Sequence, residues 1–216
     1  MTRVLGIACS MRKGSNSEIL LDRTLAAARE AGAETELLKL LDASVAPCDG
    51  CYACSKSGIC HIKDDMQEWL VKIDQADAVV FSTPVYFWTV PGQTKVVMDR
   101  LYPLYMLGKL ANKVGAVIAT ASSMGHTGVW QVFNNFFCAC HMLAADFVYA
   151  YGREKGDVRR DKHAWHASWE LGHEVVALAS AQFIYPTAYP RPIYNLVKDR
   201  YGVASSPAGG RFGDPL

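Results

Sequence analysis

Four cysteines crowd one short stretch of this chain, Cys48, Cys51, Cys54 and Cys60, at the spacing C-x2-C-x2-C-x5-C. A two-residue gap between thiolates lets one tight loop aim several sulfurs at a common centre, and a fourth on a longer arm completes a four-sulfur cage. The run therefore points to an iron–sulfur cluster. Gly50, Ala53 and Gly58 are small enough to let the backbone curl that tightly. The last gap is longer than in the bacterial ferredoxin run, and one set of four limits the chain to one cluster. Other chemistries stand beside this one. Zinc also takes four thiolates, although structural zinc sites usually join two separated CxxC arms. Disulfides need an oxidising compartment, and six apolar residues followed by Met11, Arg12 and Lys13 do not read as a signal peptide, so the cytoplasm is expected. Free thiols in a loop that holds no metal are the plainest alternative.

Three further loops carry polar or aromatic groups suited to a ligand. The stretch 10–17 gathers Ser10, Ser15, Asn16 and Ser17 as hydrogen-bond donors and Arg12 as a cationic fork where a helix should begin, which makes a phosphate cradle. It has neither a G-x-G-x-x-G nor a Walker pattern, so a dinucleotide or nucleoside triphosphate is not the first choice. Capping by Ser15 or Asn16, with Arg12 and Lys13 in water, is the alternative. The stretch 82–93 contains Thr83, Pro84, Val85, Tyr86, Phe87 and Trp88. Three aromatics in a row just past a strand end cannot all enter a core, so at least one should face a flat ligand, while Pro84 and Pro91 stiffen the loop. Folding back onto a helix or a partner subunit is the alternative for Phe87 and Trp88. In 121–128, Ser122, Ser123, Met124, Gly125 and His126 would let backbone amides approach the polar edge of a heterocycle.

These loops need a scaffold. A continuous apolar run predicts a strand at 4–9, and 34–40, 78–82, 114–120 and 145–150 read as further strands. Between them, helical patterns run over 17–31, from Asp64 onward with Met66, Trp69, Leu70 and Ile73 inward, and over 92–101 and 130–140; a last helix covers 162–181. Strands alternating with helices make an α/β domain with a mostly parallel sheet, which binds ligands at the carboxyl ends of its strands. A chain of 216 residues, 50% hydrophobic, suits one domain with a sizeable core. A net charge of +1 argues against nucleic acid or an anionic membrane as partner. Cys9, Cys138 and Cys140 are expected in the core. His163, His166 and His173 are expected to be packed or solvated rather than ligating, and 155–162 with Arg153 reads as a solvated mixed-charge loop. The stretch 183–216 holds five of the nine prolines and reads as an irregular tail at a subunit interface.

With its loops assembled, the chain resembles the flavodoxin-like NAD(P)H-dependent FMN reductases over residues 1–182. With the cysteine stretch at 43–63 it resembles the iron–sulfur flavoproteins of that superfamily. The resemblance rests on 10–17, on 83–88 with Lys95, Asp99 and Arg100, and on the four cysteines. It implies a doubly wound, five-stranded parallel sheet of order 2-1-3-4-5. It also implies FMN with its phosphate on the first loop, Pro84 to Trp88 beside the isoalloxazine and Ser122 to His126 near the pyrimidine edge. A 4Fe-4S cluster on Cys48, Cys51, Cys54 and Cys60 follows from the same likeness, in a homodimer or homotetramer.

The chemistry expected is electron transfer in which the cluster passes single electrons and FMN collects two, so that no side chain need act as acid or base. A ferredoxin-like protein is the implied donor and a small oxidant the acceptor, bordered by Tyr86, Trp88 and His126. A second reading is an NAD(P)H-dependent FMN or quinone reductase without a cluster. A third is a redox-sensing or zinc-stabilised flavin-binding protein.

Overall fold

The computed structural model describes residues 1–185, and the tail contact expected of 183–216 falls largely outside the described residues. Five parallel strands form one sheet: β1 (Arg3–Ala8), β2 (Glu34–Lys39), β3 (Ala78–Pro84), β4 (Val114–Ala121) and β5 (Leu143–Tyr151). Their order is β2-β1-β3-β4-β5, the flavodoxin-like arrangement. Burial follows position. Every residue of β4 is buried, as are all of β3 but Pro84, because both faces of the sheet centre are covered. The edge strands β2 and β5 alternate instead.

Helices α1 (Asn16–Glu30) and α7 (Lys162–Ser180) cover one face, over Val4, Val80, Ile118 and Val148. The other face takes α3 (Met66–Gln75), α4 (Gly92–Asp99) and α6 (His126–Ala139), whose Phe133 and Phe137 pack on Phe81 of β3. Met66, Trp69, Leu70 and Ile73 of α3 are all buried, as their spacing requires. Two short helices complete the set, α2 (Ala53–Ser57) in the cysteine loop and α5 (Tyr102–Met106).

Two helix boundaries and one cysteine depart from expectation. The helix predicted over 92–101 stops at Asp99 and a separate α5 follows, because Pro103 has no N–H to bond back to the preceding turn. The helix predicted from residue 130 begins one turn earlier at His126, where Gly125 turns the chain at φ 101° ahead of the first buried apolar residue, Val129. Cys9 and Cys140 lie in the core, but Cys138 is exposed on the outer side of α6. No helix among the described residues is long and apolar enough to cross a membrane.

Candidate functional site

All four cysteines of the 48–60 run line one cavity of about 290 Å³, together with Asp49, His61, Asp99 and Tyr102. The convergence has a backbone cause: each gap between consecutive cysteines holds a left-handed residue, Gly50 (φ 71°), Tyr52 (φ 58°) and Gly58 (φ 71°). Three such turns keep reversing the chain around one centre. Tyr52 is the one that carries a side chain, a strained state on the order of 1 kcal/mol that persists where the surroundings enforce it. Its ring meets Tyr102 edge-on at 6.0 Å. Cys54 and Cys60 are buried; Cys48 and Cys51 face solvent. Burial pushes the Cys54 thiol up, and the neighbouring Cys60, Cys48 and Cys51 push it further. Gathered thiolates repel one another unless cationic metal stands among them, so this donor set fits a four-sulfur metal centre. At the rim, His61 Nε2 lies 2.7 Å from Asp49 Oδ2.

The loop is anchored at its base. The Asp64 carboxylate accepts the N–H groups of Ala46 (2.9 Å) and Met66 (3.1 Å) and both terminal nitrogens of Arg100 (2.6 and 2.8 Å). Nη1 of Arg100 also donates to the Ala46 carbonyl at 2.7 Å. Burial opposes the Asp64 charge, but Arg100 and the two N–H groups outweigh it and hold the carboxyl below the usual range. The helix expected from Asp64 begins at Met66, and the Asp64 carboxylate ties the loop to α3 and to Arg100.

A second cavity, of about 240 Å³, opens at the carboxyl ends of β1, β3, β4 and β5. Of the predicted residues, Ser10, Arg12, Ser15, Asn16, Pro84, Val85, Tyr86 and Ser122 line it. Ser15 caps α1, its Oγ accepting the N–H of Glu18 at 3.2 Å, while the Glu18 carboxylate accepts the N–H of Gly14 at 2.8 Å and pairs with Lys39 at 2.6 Å. The capping box leaves a helix N-terminus, with Arg12 beside it, facing the cavity, an arrangement that favours an anion. Asn16 lines the cavity, and its amide also has a scaffold role. Its Nδ2 donates to the Glu154 carbonyl (2.9 Å) and its Oδ1 accepts the N–H of Gly156 (2.8 Å), so it staples the loop after β5 to α1. Ser17 is fully buried against Ser15 at 3.1 Å.

Thr83 does not line the cavity either; its hydroxyl meets Thr94 of α4 at 2.9 Å and locks the end of β3 to that helix. Phe87 (φ 44°) and Trp88 (φ 72°) form the two central residues of a tight turn closed by paired N–H···O bonds between Tyr86 and Thr89. Tyr86 is the aromatic that reaches the cavity wall, while Phe87 is 99% exposed and Trp88 also points outward, so neither folds back on a helix. The turn rests on the start of α6: a Cβ at Gly128 would overlap the Trp88 carbonyl oxygen, and one at Gly125 would come 2.8 Å from the Trp88 Cα. Ser123 and Met124 are exposed beside Ser122. His126 is not among the residues that line the cavity. It is buried, with Nε2 at 3.0 Å from the Ala150 carbonyl and its ring against Tyr149 and Tyr151, so it braces β5 rather than bordering an acceptor.

Thr120, Gly152 and Arg153 line the cavity without having been foreseen. The 152–157 loop is not merely solvated: the Lys155 side chain lies over Gly14, and Asp157 accepts the N–H groups of Arg153 and Glu154 at 3.0 and 2.7 Å. Two cations from after β5 thus join Arg12 beside the first loop. The sequence signal for them was the parallel order, which sets the ends of β4 and β5 side by side. As expected, the three histidines of α7 pack against rings: His163 near Tyr149, and His166 and His173 on either side of Trp169.

A parallel sheet of this order, with a cation-bordered cavity across its strand ends and an aromatic on the wall, defines a flavodoxin-like fold. RosB, solved with bound 8-demethyl-8-formylriboflavin-5'-phosphate, shares that fold at a TM-score of 0.70, with 17% identity, 84% of this chain and 80% of that chain covered. A family model described as NADPH-dependent FMN reductase matches residues 2–153. An iron–sulfur flavoprotein of Methanocaldococcus jannaschii is 36% identical over 183 residues, covering 80% of this chain and 95% of that protein. Another, from Archaeoglobus fulgidus, is 32% identical over 157 residues, covering 72% and 71%. The chain belongs to the NADPH-dependent FMN reductase family, among relatives named iron–sulfur flavoproteins, and is a flavin-dependent oxidoreductase.

Proposed function

We propose that this protein passes electrons between a 4Fe-4S cluster held by Cys48, Cys51, Cys54 and Cys60 and an FMN held in the cavity at the strand ends, and from there to a small oxidant. The observation that carries the reading is the cysteine cavity itself: four cysteines line it, with a left-handed residue in every gap between them. The names of the relatives support the same assignment. When bound, the cluster relays single electrons and FMN stores them in pairs.

The chain's own residues supply placement. The start of α1, with Arg12, Arg153 and Lys155 around it, takes the FMN phosphate, and Tyr86 borders the ring system. Helix α4 spans the two sites, since Thr94 is tied to the end of β3 while Asp99 lines the cysteine cavity. Two electrons from a ferredoxin-like donor, with two protons from water, would convert a quinone-like acceptor to its hydroquinone. Exposed Phe87 and Trp88 offer apolar area for a homodimer or homotetramer that brings the cysteine cavity of one subunit to the flavin cavity of another.

The test is iron, acid-labile sulfide and FMN per chain in protein purified without oxygen. About four irons and four sulfides beside one FMN, with reduction by ferredoxin, would support the proposal. FMN without iron, together with rapid oxidation of NAD(P)H, would replace it with direct hydride transfer to the flavin.

A further inference from the structure

Arg100 is only 1% exposed, the largest fully buried side chain among the described residues, and it sits directly after α4 beneath the cysteine loop. A buried guanidinium needs its donors satisfied. Nη1 and Nη2 are satisfied by Asp64 and the Ala46 carbonyl, but Nε is buried with no partner at hydrogen-bond distance. Cys60, itself buried in the loop above, is among the groups whose charge favours the charged form of the guanidinium.

Anchoring alone does not explain this arrangement, since a buried ion pair is seldom more stabilising than apolar packing of the same shape. A fixed positive charge beneath a thiolate cage has a second effect. A four-thiolate cluster is anionic and gains one more negative charge on reduction, and its potential follows net charge and hydrogen bonds to sulfur. Resting on the cluster assignment above, we infer that Arg100 is a positioning residue for the cysteine centre: Nε donates to the Cys60 sulfur, and the guanidinium raises the cluster's reduction potential. Asp64 holds the fork in place and mutes its charge.

The first experiment follows the reduced cluster by electron paramagnetic resonance in a redox titration of wild type, Arg100→Gln, Arg100→Lys and Asp64→Asn, with iron and FMN counted in each. Arg100→Gln should lower the cluster midpoint and leave FMN content and the flavin midpoint unchanged. Arg100→Lys, which keeps the charge without the Nε donor, should fall between. Asp64→Asn should not lower it. A second measurement needs no variant. Wild type grown with 15N-arginine should show a 15N hyperfine coupling at the reduced cluster, and this decides the matter if Arg100→Gln fails to fold. Wild-type midpoints in an iron-replete Arg100→Gln protein, or no 15N coupling, would overturn the inference and leave the cluster reading standing. Wild type without iron overturns both.

Discussion

The cysteine cavity comes from one contiguous stretch, 48–61, closed from below by Asp99 and Tyr102, whereas the cavity at the strand ends draws on four loops from separate crossings of the sheet. In the first, strained backbone and repelling thiols are restrained by one buried ion pair and by Gln67, whose Nε2 donates to the Cys60 and Ile62 carbonyls. In the second, a capping box, the Asn16 staple and the Thr83–Thr94 bond fix the loops through ordinary scaffold hydrogen bonds. The contrast teaches that one site should be completed by its ligand and the other formed before its ligand arrives.

The sharpest way to separate them is Cys54→Ser. Losing a buried thiolate should abolish stable iron binding, while FMN stays near one per chain; iron analysis and a flavin spectrum read both. Loss of FMN as well would show that the two sites fold as a unit. Next in size, Asp64→Ala strips the partner from buried Arg100 and should destabilise the protein by about 3 kcal/mol, with iron loss preceding flavin loss in urea. Gly128→Ala probes the other site. Its methyl group would strike the Trp88 carbonyl, so the 86–89 turn must shift, costing about 1–3 kcal/mol and weakening FMN in a fluorescence titration with iron content intact. Asn16→Ala, which removes two hydrogen bonds to the 154–156 loop, should cost about 1–2 kcal/mol and weaken FMN to a smaller degree.

What was legible in the residues follows the same division. That the four cysteines share one cavity could be read from spacing, because they are neighbours in the chain. The sheet could be read from apolar runs, since a strand buried on both faces, such as β4, has no room for polar residues. The cavity at the strand ends was half legible. Ser10, Arg12, Ser15, Pro84, Val85, Tyr86 and Ser122 lie in loops whose composition announces a ligand, and they line it. Arg153 lies in a loop whose mixed charges read as solvent, and its place follows only from β5 pairing beside β4. The scaffold roles of Asn16 and His126 were not legible, because an amide or imidazole looks equally suited to a ligand or a backbone carbonyl. The second partner was present for both. The helix expected over 92–101 ends two residues early at Asp99, and the short α5 around Pro103 was not expected at all.

The smallest expected effect is a pH dependence that belongs to the preformed site. Burial opposes ionisation of Glu18, yet Lys39 and the N–H groups of Gly14 and Ser15 outweigh it, so the folded carboxyl titrates below its ordinary value. A carboxyl depressed by folding contributes stability that is complete above its unfolded pKa and is lost as pH falls through the folded one. Acidification should therefore release Gly14 and Lys39 and loosen the start of α1, weakening FMN binding. Glu18→Gln should flatten this part of the stability profile, measured by urea unfolding across the carboxylate range, and leave the rest unchanged. If instead the variant kept the wild-type slope, the acid sensitivity would lie elsewhere, and the capping box would owe its rigidity to Ser15 alone.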